Sequence, residues 1–318
     1  MAQDEFAIIR QYFRDVGPVC ADTRLGIGDD AAVVEVPPGK QLVVCMDTLI
    51  SGVHFPTETA AADIAVKALA VNLSDLAAMA ATPSWFLLSV SLPQFDADWL
   101  RHFADGLRQS AECYGVQLIG GDTCRGDLSI TIQIAGLVPA GGYVSRAGAS
   151  VGDLVLVSGQ LGNAGLGLAH LQGSLELPEE LASRCLQALN RPQPRLDLVD
   201  FLREFASAAI DISDGLQGDL GHILKASGCG ARLEQTALPV DPWIVQHDLY
   251  HHALAAGDDY QICCTLAPRH RGEVENWNRQ YPERSLTIIG ELVESSFLLR
   301  VGDAWTDLGD RGGFRHFD

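Results

Sequence analysis

Apolar positions recur with two different periods along the first 140 residues. Gln41–Ile50 reads as an apolar strand closing on Asp47-Thr48, and the Ala- and Leu-rich stretch from Ala60 to Ala80 as a helix stopped by Pro83. Trp85–Leu92 predicts a strand, and Ala97–Tyr114 an amphipathic helix with Leu100, Phe103, Leu107 and Ala111 along one stripe. Val116–Ile119 and Leu128–Val138 are strands again. Strands that follow one another without an intervening helix predict a partly antiparallel sheet, hence α+β rather than a doubly wound fold. Pro139-Ala-Gly-Gly142 reads as a linker, which divides the chain into domains 1–140 and 141–318. The second half runs from a strand at Leu154–Ser158 through glycine-punctuated helices to strands near Ile262 and over Thr287–Leu292.

Composition narrows the function. A chain of 318 residues suits two domains of roughly 100–200 residues each. Acids outnumber bases 41 to 22, for a net charge of −19. Nucleic acid and anionic membranes both demand a basic face, so neither is an expected partner. No basic segment followed by an apolar run opens the chain, and no apolar stretch is long enough to span a bilayer. The eight cysteines form no Cys-x-x-Cys pair and read as reduced thiols, several of them buried, in a cytoplasmic protein.

The carboxylates have a pattern. Asp29-Asp30, Asp47, Asp75, Asp122, Asp211, Asp214 and Asp258-Asp259 sit in short Gly/Ser/Thr contexts beside apolar runs. Taken singly, each reads as a turn or a helix cap. Asp75 resists that reading, because it lies inside an Ala/Leu helix with Asn72 one turn earlier on the same face. Converging carboxylates would repel one another without cations, and hard oxygen ligands with open positions suit Mg²⁺ and a phosphate substrate. Competing nucleotide motifs fail. The only Gly-Lys pair, Gly39-Lys40, continues into Gln41, so there is no Walker A loop. Gly26-Ile27-Gly28 imitates a dinucleotide fingerprint but has no convincing strand before it and two carboxylates where a pyrophosphate would lie. Gly148-Ala149-Ser150-Val151-Gly152 precedes a strand instead of joining strand to helix, which excludes a nucleophile elbow. Arg146, in the same glycine-rich stretch, suits a phosphate, or else is a surface arginine. His54 follows the Asp47 strand, either turned toward the same site or packed in its loop; His251-His252 reads as surface.

Together these segments resemble the bacterial thiamine-monophosphate kinases, in the superfamily of aminoimidazole ribonucleotide synthetase and selenophosphate synthetase. The resemblance rests on Gly26–Ala31, Asp47-Thr48-Leu49, Gly52-Val53-His54-Phe55, Lys67–Asp75, Gly120–Thr123, Ser145-Arg146, Asp211–Leu216, Gly257–Tyr260 and Gly313–Phe317, in that order along nearly the whole chain. It implies an N-terminal α+β domain whose sheet pairs with its twin in a homodimer, and a C-terminal α/β domain that completes the active site. It implies ATP-dependent phosphorylation of thiamine monophosphate to thiamine diphosphate, with several Mg²⁺ ions between the substrates. By the same resemblance Asp30, Asp47, Asp75, Asp122, Asp211 and Asp214 are metal ligands, and Gly121, Asp122, Arg146 and Ser213 contact ATP. His54, Asp258 and Phe314 are the thiamine side. The chain departs from the family pattern at Cys45-Met46, Ser51 and Asp258, the last one methylene shorter than the usual Glu. The alternatives are another ATP-using member of the superfamily or a metal-dependent phosphohydrolase. Cys20 lacks the setting of a selenophosphate synthetase nucleophile.

Overall fold

A computed structural model describes residues 5–309. The chain packs as two compact units, one comprising the chain up to Leu76 with Ala81–Gly142, the other Ala77–Ala80 with the chain from Tyr143 on.

In the first unit a short helix, α1 (Glu5–Ile8), continues into a π-helical turn, and β1 (Thr23–Leu25) pairs with β2 (Val33–Val34). Then follow β3 (Lys40–Ile50), α2 (Ala61–Ala78), β4 (Thr82–Leu92), α3 (Ala97–Tyr114), β5 (Gln117–Arg125) and β6 (Ser129–Pro139). The four long strands lie in the order β3-β6-β4-β5. β6 is antiparallel to both β3 and β4, while β4 and β5 run parallel, joined through α3 as their crossover. α3 forms where the pattern places it for local reasons. The Asp96 carboxylate accepts the Asp98 and Trp99 N–H groups, Gly115 closes the helix at φ +68, and the Leu100, Phe103, Leu107, Ala111 stripe is buried. α2 is buried nearly all round and ends at Ala78, two residues before the expected Ala80. The reversal is made by Ala80 at φ +55, and Pro83 lies inside β4, where the pairing to β6 shifts register between Pro83 and Trp85.

The second unit contains β7 (Leu154–Ser158), α4 (Asn163–Leu171), α5 (Glu179–Asn190), α6 (Val199–Phe205), β8 (Ala206–Asp211), α7 (Leu216–Ser227) and β9 (Gly230–Glu234). It continues with α8 (Pro242–His247), α9 (His251–Ala255), β10 (Ile262–Leu266), α10 (Arg271–Gln280), β11 (Leu286–Val293), β12 (Phe297–Val301) and β13 (Ala304–Asp307). These strands form a seven-stranded sheet in the order β13-β12-β9-β11-β7-β10-β8. Every pairing is antiparallel except β9 with β12. The two-residue period of β7 shows how both faces are covered. Val155 and Val157 join a core with Leu216, Leu220 and Ile223 of α7, whereas Leu154 and Leu156 pack in a second core with Phe201, Leu202 and Val274. Each buried side chain of this size contributes roughly 1.5–3 kcal/mol, so a strand buried on both faces is a rigid base for the loops at its end.

No helix is long and apolar enough to cross a membrane among the described residues. None of the eight cysteines is in a disulfide; Cys185, Cys263 and Cys264 are buried.

Candidate active site

In the first unit the site residues are organised by Asn72. It is fully buried on α2, its Nδ2 donates to Ala68 O (3.0 Å), and its Oδ1 accepts the Asp47 N–H (3.0 Å). The Cys45 thiol donates to Asn72 O (3.4 Å). Asn72 thereby ties the edge strand β3 to α2 at Asp47, one turn before half-buried Asp75. At the end of the same strand Ile50 N–H donates to His54 Nδ1 (3.0 Å), and Lys67 Nζ donates to His54 O (3.2 Å). His54 therefore holds its ring by Nδ1 acting as acceptor.

The other edge strand, β5, carries Gly121-Asp122. The register runs Asp47–Ile132–Leu88–Gly121 across the sheet, with Thr48–Thr131–Ser89–Asp122 as the next rung. Strand alternation puts Asp122 on the face shared by Thr48 and Thr131, whose hydroxyls bond at 2.8 Å, and Asp47 on the opposite face. Three interstrand spacings, about 14 Å, separate the two edges. A side chain at Gly121 is impossible without movement, since its Cβ would lie 1.8 Å from Leu88 O. Asp30 is exposed in the loop between β1 and β2, where its N–H donates to Asp29 Oδ1 (2.9 Å). A short strand, β1, does precede Gly26, contrary to the sequence reading. The chain then returns to β2 instead of entering a helix, so the dinucleotide fingerprint lacks its helix N-terminus.

In the second unit Asp211 is buried at the end of β8, and Ser213-Asp214 forms the turn into α7. Gly215 starts that helix at φ +107; a Cβ there would lie 2.8 Å from Ala255 Cα and Leu254 O. Sequence reasoning missed a further carboxylate here. Asp219, in the first turn of α7 and only 3% exposed, accepts the Asp214 N–H at 3.0 Å and is also bonded by the Ser213 backbone. Burial pushes its carboxyl up to about 8, and the charges of Asp211 and Asp214 push the same way. The available signal was an acid in the first turn of a helix, a pattern more commonly met as simple dipole complementation.

The Asp258 turn lies against this one. Asp258 N–H donates to Ser213 O and Tyr260 N–H to Ile212 O, both at 2.8 Å, and Ile212 N–H donates to Gln261 O (2.7 Å). Gly257, Asp258 and Tyr260 all have left-handed backbones, at φ +75, +61 and +48. Such conformations cost on the order of 1–3 kcal/mol at non-glycine residues and persist only where the surroundings fix them. Arg146 is exposed, and its carbonyl accepts the Ser227 hydroxyl (3.2 Å) at the far end of α7, about 18 Å along that helix from the Asp214 turn. Phe314 lies outside the described residues. His251 is exposed, but His252 is half-buried, against the surface reading of the pair. Burial and the neighbouring His251 hold its pKa down to about 4.

Among the described residues no group of three or more His, Cys, Asp or Glu side chains is arranged to hold a metal ion. Singly the acids are of the kind Mg²⁺ takes, hard carboxylate oxygens on β3, β5, β8 and α2 and in the loops that carry Asp30 and Asp214. Asp219 supplies the specific observation: burial first, and then the charges of Asp211 and Asp214, push its carboxyl up. A testable consequence has a definite sign. A raised carboxyl pKa contributes stability that is present below the ordinary carboxylate range and lost as pH rises through about 8. In a chelating buffer the melting temperature should therefore fall between pH 6 and pH 9, and Asp219→Asn should remove that part of the decline. Parallel pH profiles for the two proteins would show that Asp219 does not titrate there.

Two family models match the chain: "AIR synthase related protein, N-terminal domain" over residues 28–138 and "AIR synthase related protein, C-terminal domain" over residues 150–299. The thiamine-monophosphate kinase of Escherichia coli K12 is 44% identical over 100% of this chain and 99% of its own length. The crystal structure of thiamine-monophosphate kinase from Stenotrophomonas maltophilia K279a superposes with a TM-score of 0.82 at 41% identity, covering 89% of this chain and 93% of that one. AaThiL complexed with AMPPCP and TMP gives a TM-score of 0.77 at 31% identity, with 92% of each chain covered.

Proposed function

Because the chain belongs to the thiamine-monophosphate kinase family within the AIR synthase-related proteins, we propose that it transfers the γ-phosphoryl group of ATP to thiamine monophosphate, giving thiamine diphosphate and ADP. The observation that carries this reading furthest is the turn after β8, where the Asp214 N–H donates to the buried Asp219 carboxyl and Ser213 O accepts the Asp258 N–H. In the N-terminal unit Asp30, Asp47, Asp75 and Asp122 are assigned to Mg²⁺, and in the C-terminal unit Asp211 and Asp214. Bound Mg²⁺ neutralises charge on the phosphates and polarises the γ-phosphoryl group. Gly121, Asp122, Arg146 and Ser213 are assigned to ATP: a glycine lets the backbone approach a phosphate closely, and a guanidinium pairs with phosphate oxygens. His54, Asp258 and Phe314 are assigned to the thiamine side, where a cationic thiazolium and flat rings call for an acid and an aromatic face.

The transfer is direct. An oxygen of the substrate phosphate forms the new bond to the γ-phosphorus as the bond from that phosphorus to the bridging oxygen of ADP breaks. His54 Nδ1 accepts the Ile50 N–H, so the neutral ring carries its proton on Nε2 and has no free lone pair there to take a phosphoryl group. With ATP chiral at the γ-phosphorus, one displacement should invert configuration. Retention would require an enzyme-bound phosphoryl intermediate and would contradict this mechanism.

The protein is further proposed to act in the cytoplasm as a homodimer. Leu42, Val44, Met46 and Ile50 are exposed on one face of the edge strand β3, and a second copy of the same sheet would cover them.

A further inference from the structure

Asp259 has no part in the roles assigned above, yet it is among the most buried acids in the chain. It is 8% exposed, and the Gly162 N–H lies 2.9 Å from its Oδ1 and 2.8 Å from its Oδ2. The Ala164 N–H also donates to this carboxyl. These are orphan donors at the N-terminus of the nine-residue helix α4, so Asp259 caps that helix from 97 residues away. On either side of it the chain is left-handed, and the amides of Asp258 and Tyr260 donate to Ser213 O and Ile212 O. The turn is thus held at three points: its centre to α4, and its flanks to the loop that carries Asp214.

A residue seeking only to cap α4 would not need strained neighbours. Gly162, at φ +86, packs closely on Ile244 and Ala253, since a Cβ there would lie 2.8 Å from Ile244 Cδ1 and 3.0 Å from Ala253 N. The pinned element is therefore the helix end, and the held element is the turn. We propose that Asp259 is a positioning residue for Asp258: its bonds to α4 hold the left-handed turn whose Asp258 backbone is bonded to Ser213. The proposal rests on the thiamine-side reading of Asp258.

Asp259→Asn keeps the volume but replaces one acceptor oxygen with an NH₂ donor facing the Gly162 and Ala164 amides. In the intact protein, hydrogen exchange should accelerate over residues 257–261 and 212–214 and stay unchanged in β6. The Michaelis constant for thiamine monophosphate should rise about five-fold or more, with kcat and the ATP constant within about two-fold of wild type. The double variant Asp258→Asn/Asp259→Asn should be no worse than Asp258→Asn alone, since Asp259 acts through its neighbour. Unchanged exchange at 257–261, equal effects on both substrates, or additive losses in the double variant would overturn the proposal. Should Asp259→Asn fail to fold, Asp259→Glu carries the same tests, keeping both acceptor oxygens while displacing the turn by a methylene. Failure of the underlying reading looks different: there the wild-type protein forms no thiamine diphosphate, which overturns both.

Discussion

Asp75→Asn should lose about 10²–10³-fold in turnover with ATP and thiamine monophosphate while melting within a degree or two of wild type. The exchange removes a charge at nearly constant shape, and the half-buried position on α2 tolerates an amide. The bonds of Asn72 to Ala68 O and the Asp47 N–H, one turn before Asp75, do not involve the substituted side chain. What disappears is one charged oxygen donor for Mg²⁺. A loss of that size corresponds to roughly 3–4 kcal/mol of transition-state stabilisation, ordinary for one element of a phosphoryl-transfer site. The Mg²⁺ concentration giving half-maximal rate should rise with it. Near-normal turnover at ordinary Mg²⁺ would reduce Asp75 to a helix-surface acid.

Gly121→Ala should cost stability and nucleotide affinity together. The added Cβ would lie 1.8 Å from Leu88 O and 2.9 Å from Leu88 N, all backbone of the adjoining strand β4, which has no rotamer to yield. β5 must then separate from β4, at a cost on the order of 3 kcal/mol or more. The melting temperature should fall by several degrees and the ATP constant should rise, because Asp122 moves with the strand. Gly120→Ala is the internal control. Its Cβ would meet only Leu87 Cδ2, at 3.1 Å, a side-chain end that can shift by a few tenths of an ångström. If the two alanine variants melt alike, the close approach of β5 to β4 is not what fixes this glycine.

What the sequence made legible follows from what is local. The ends of α3 were readable because Asp96, the apolar stripe and Gly115 all act within a turn of where they stand. The cause of the end of α2 was not, because Ala80 leaves no glycine to mark a left-handed turn, and Pro83, read as the stop, lies inside β4. β1 was missed since Thr23-Arg24-Leu25 is too short to show a period. The same division runs through the candidate site. Asp75 stands out as an acid inside an Ala/Leu helix, whereas Asp47, Asp211 and Asp214 each read singly as a turn or cap and gain meaning only from the repeated pattern. Asp219 does not, because its partners are backbone amides that a sequence cannot display. The left-handed Asp258 and Tyr260 were equally hidden, since their conformation is imposed by hydrogen bonds to Ile212 and Ser213 some forty-five residues earlier.

The central claim is that the γ-phosphoryl group passes from ATP to the phosphate of thiamine monophosphate. Incubating the protein with Mg²⁺, thiamine monophosphate and ATP labelled at the γ-phosphate, then separating the products, tests it directly. The account predicts that the label appears in the terminal phosphate of thiamine diphosphate, with one ADP formed per labelled product and none without thiamine monophosphate. Label recovered as inorganic phosphate, or thiamine released from thiamine monophosphate without ATP, would contradict it.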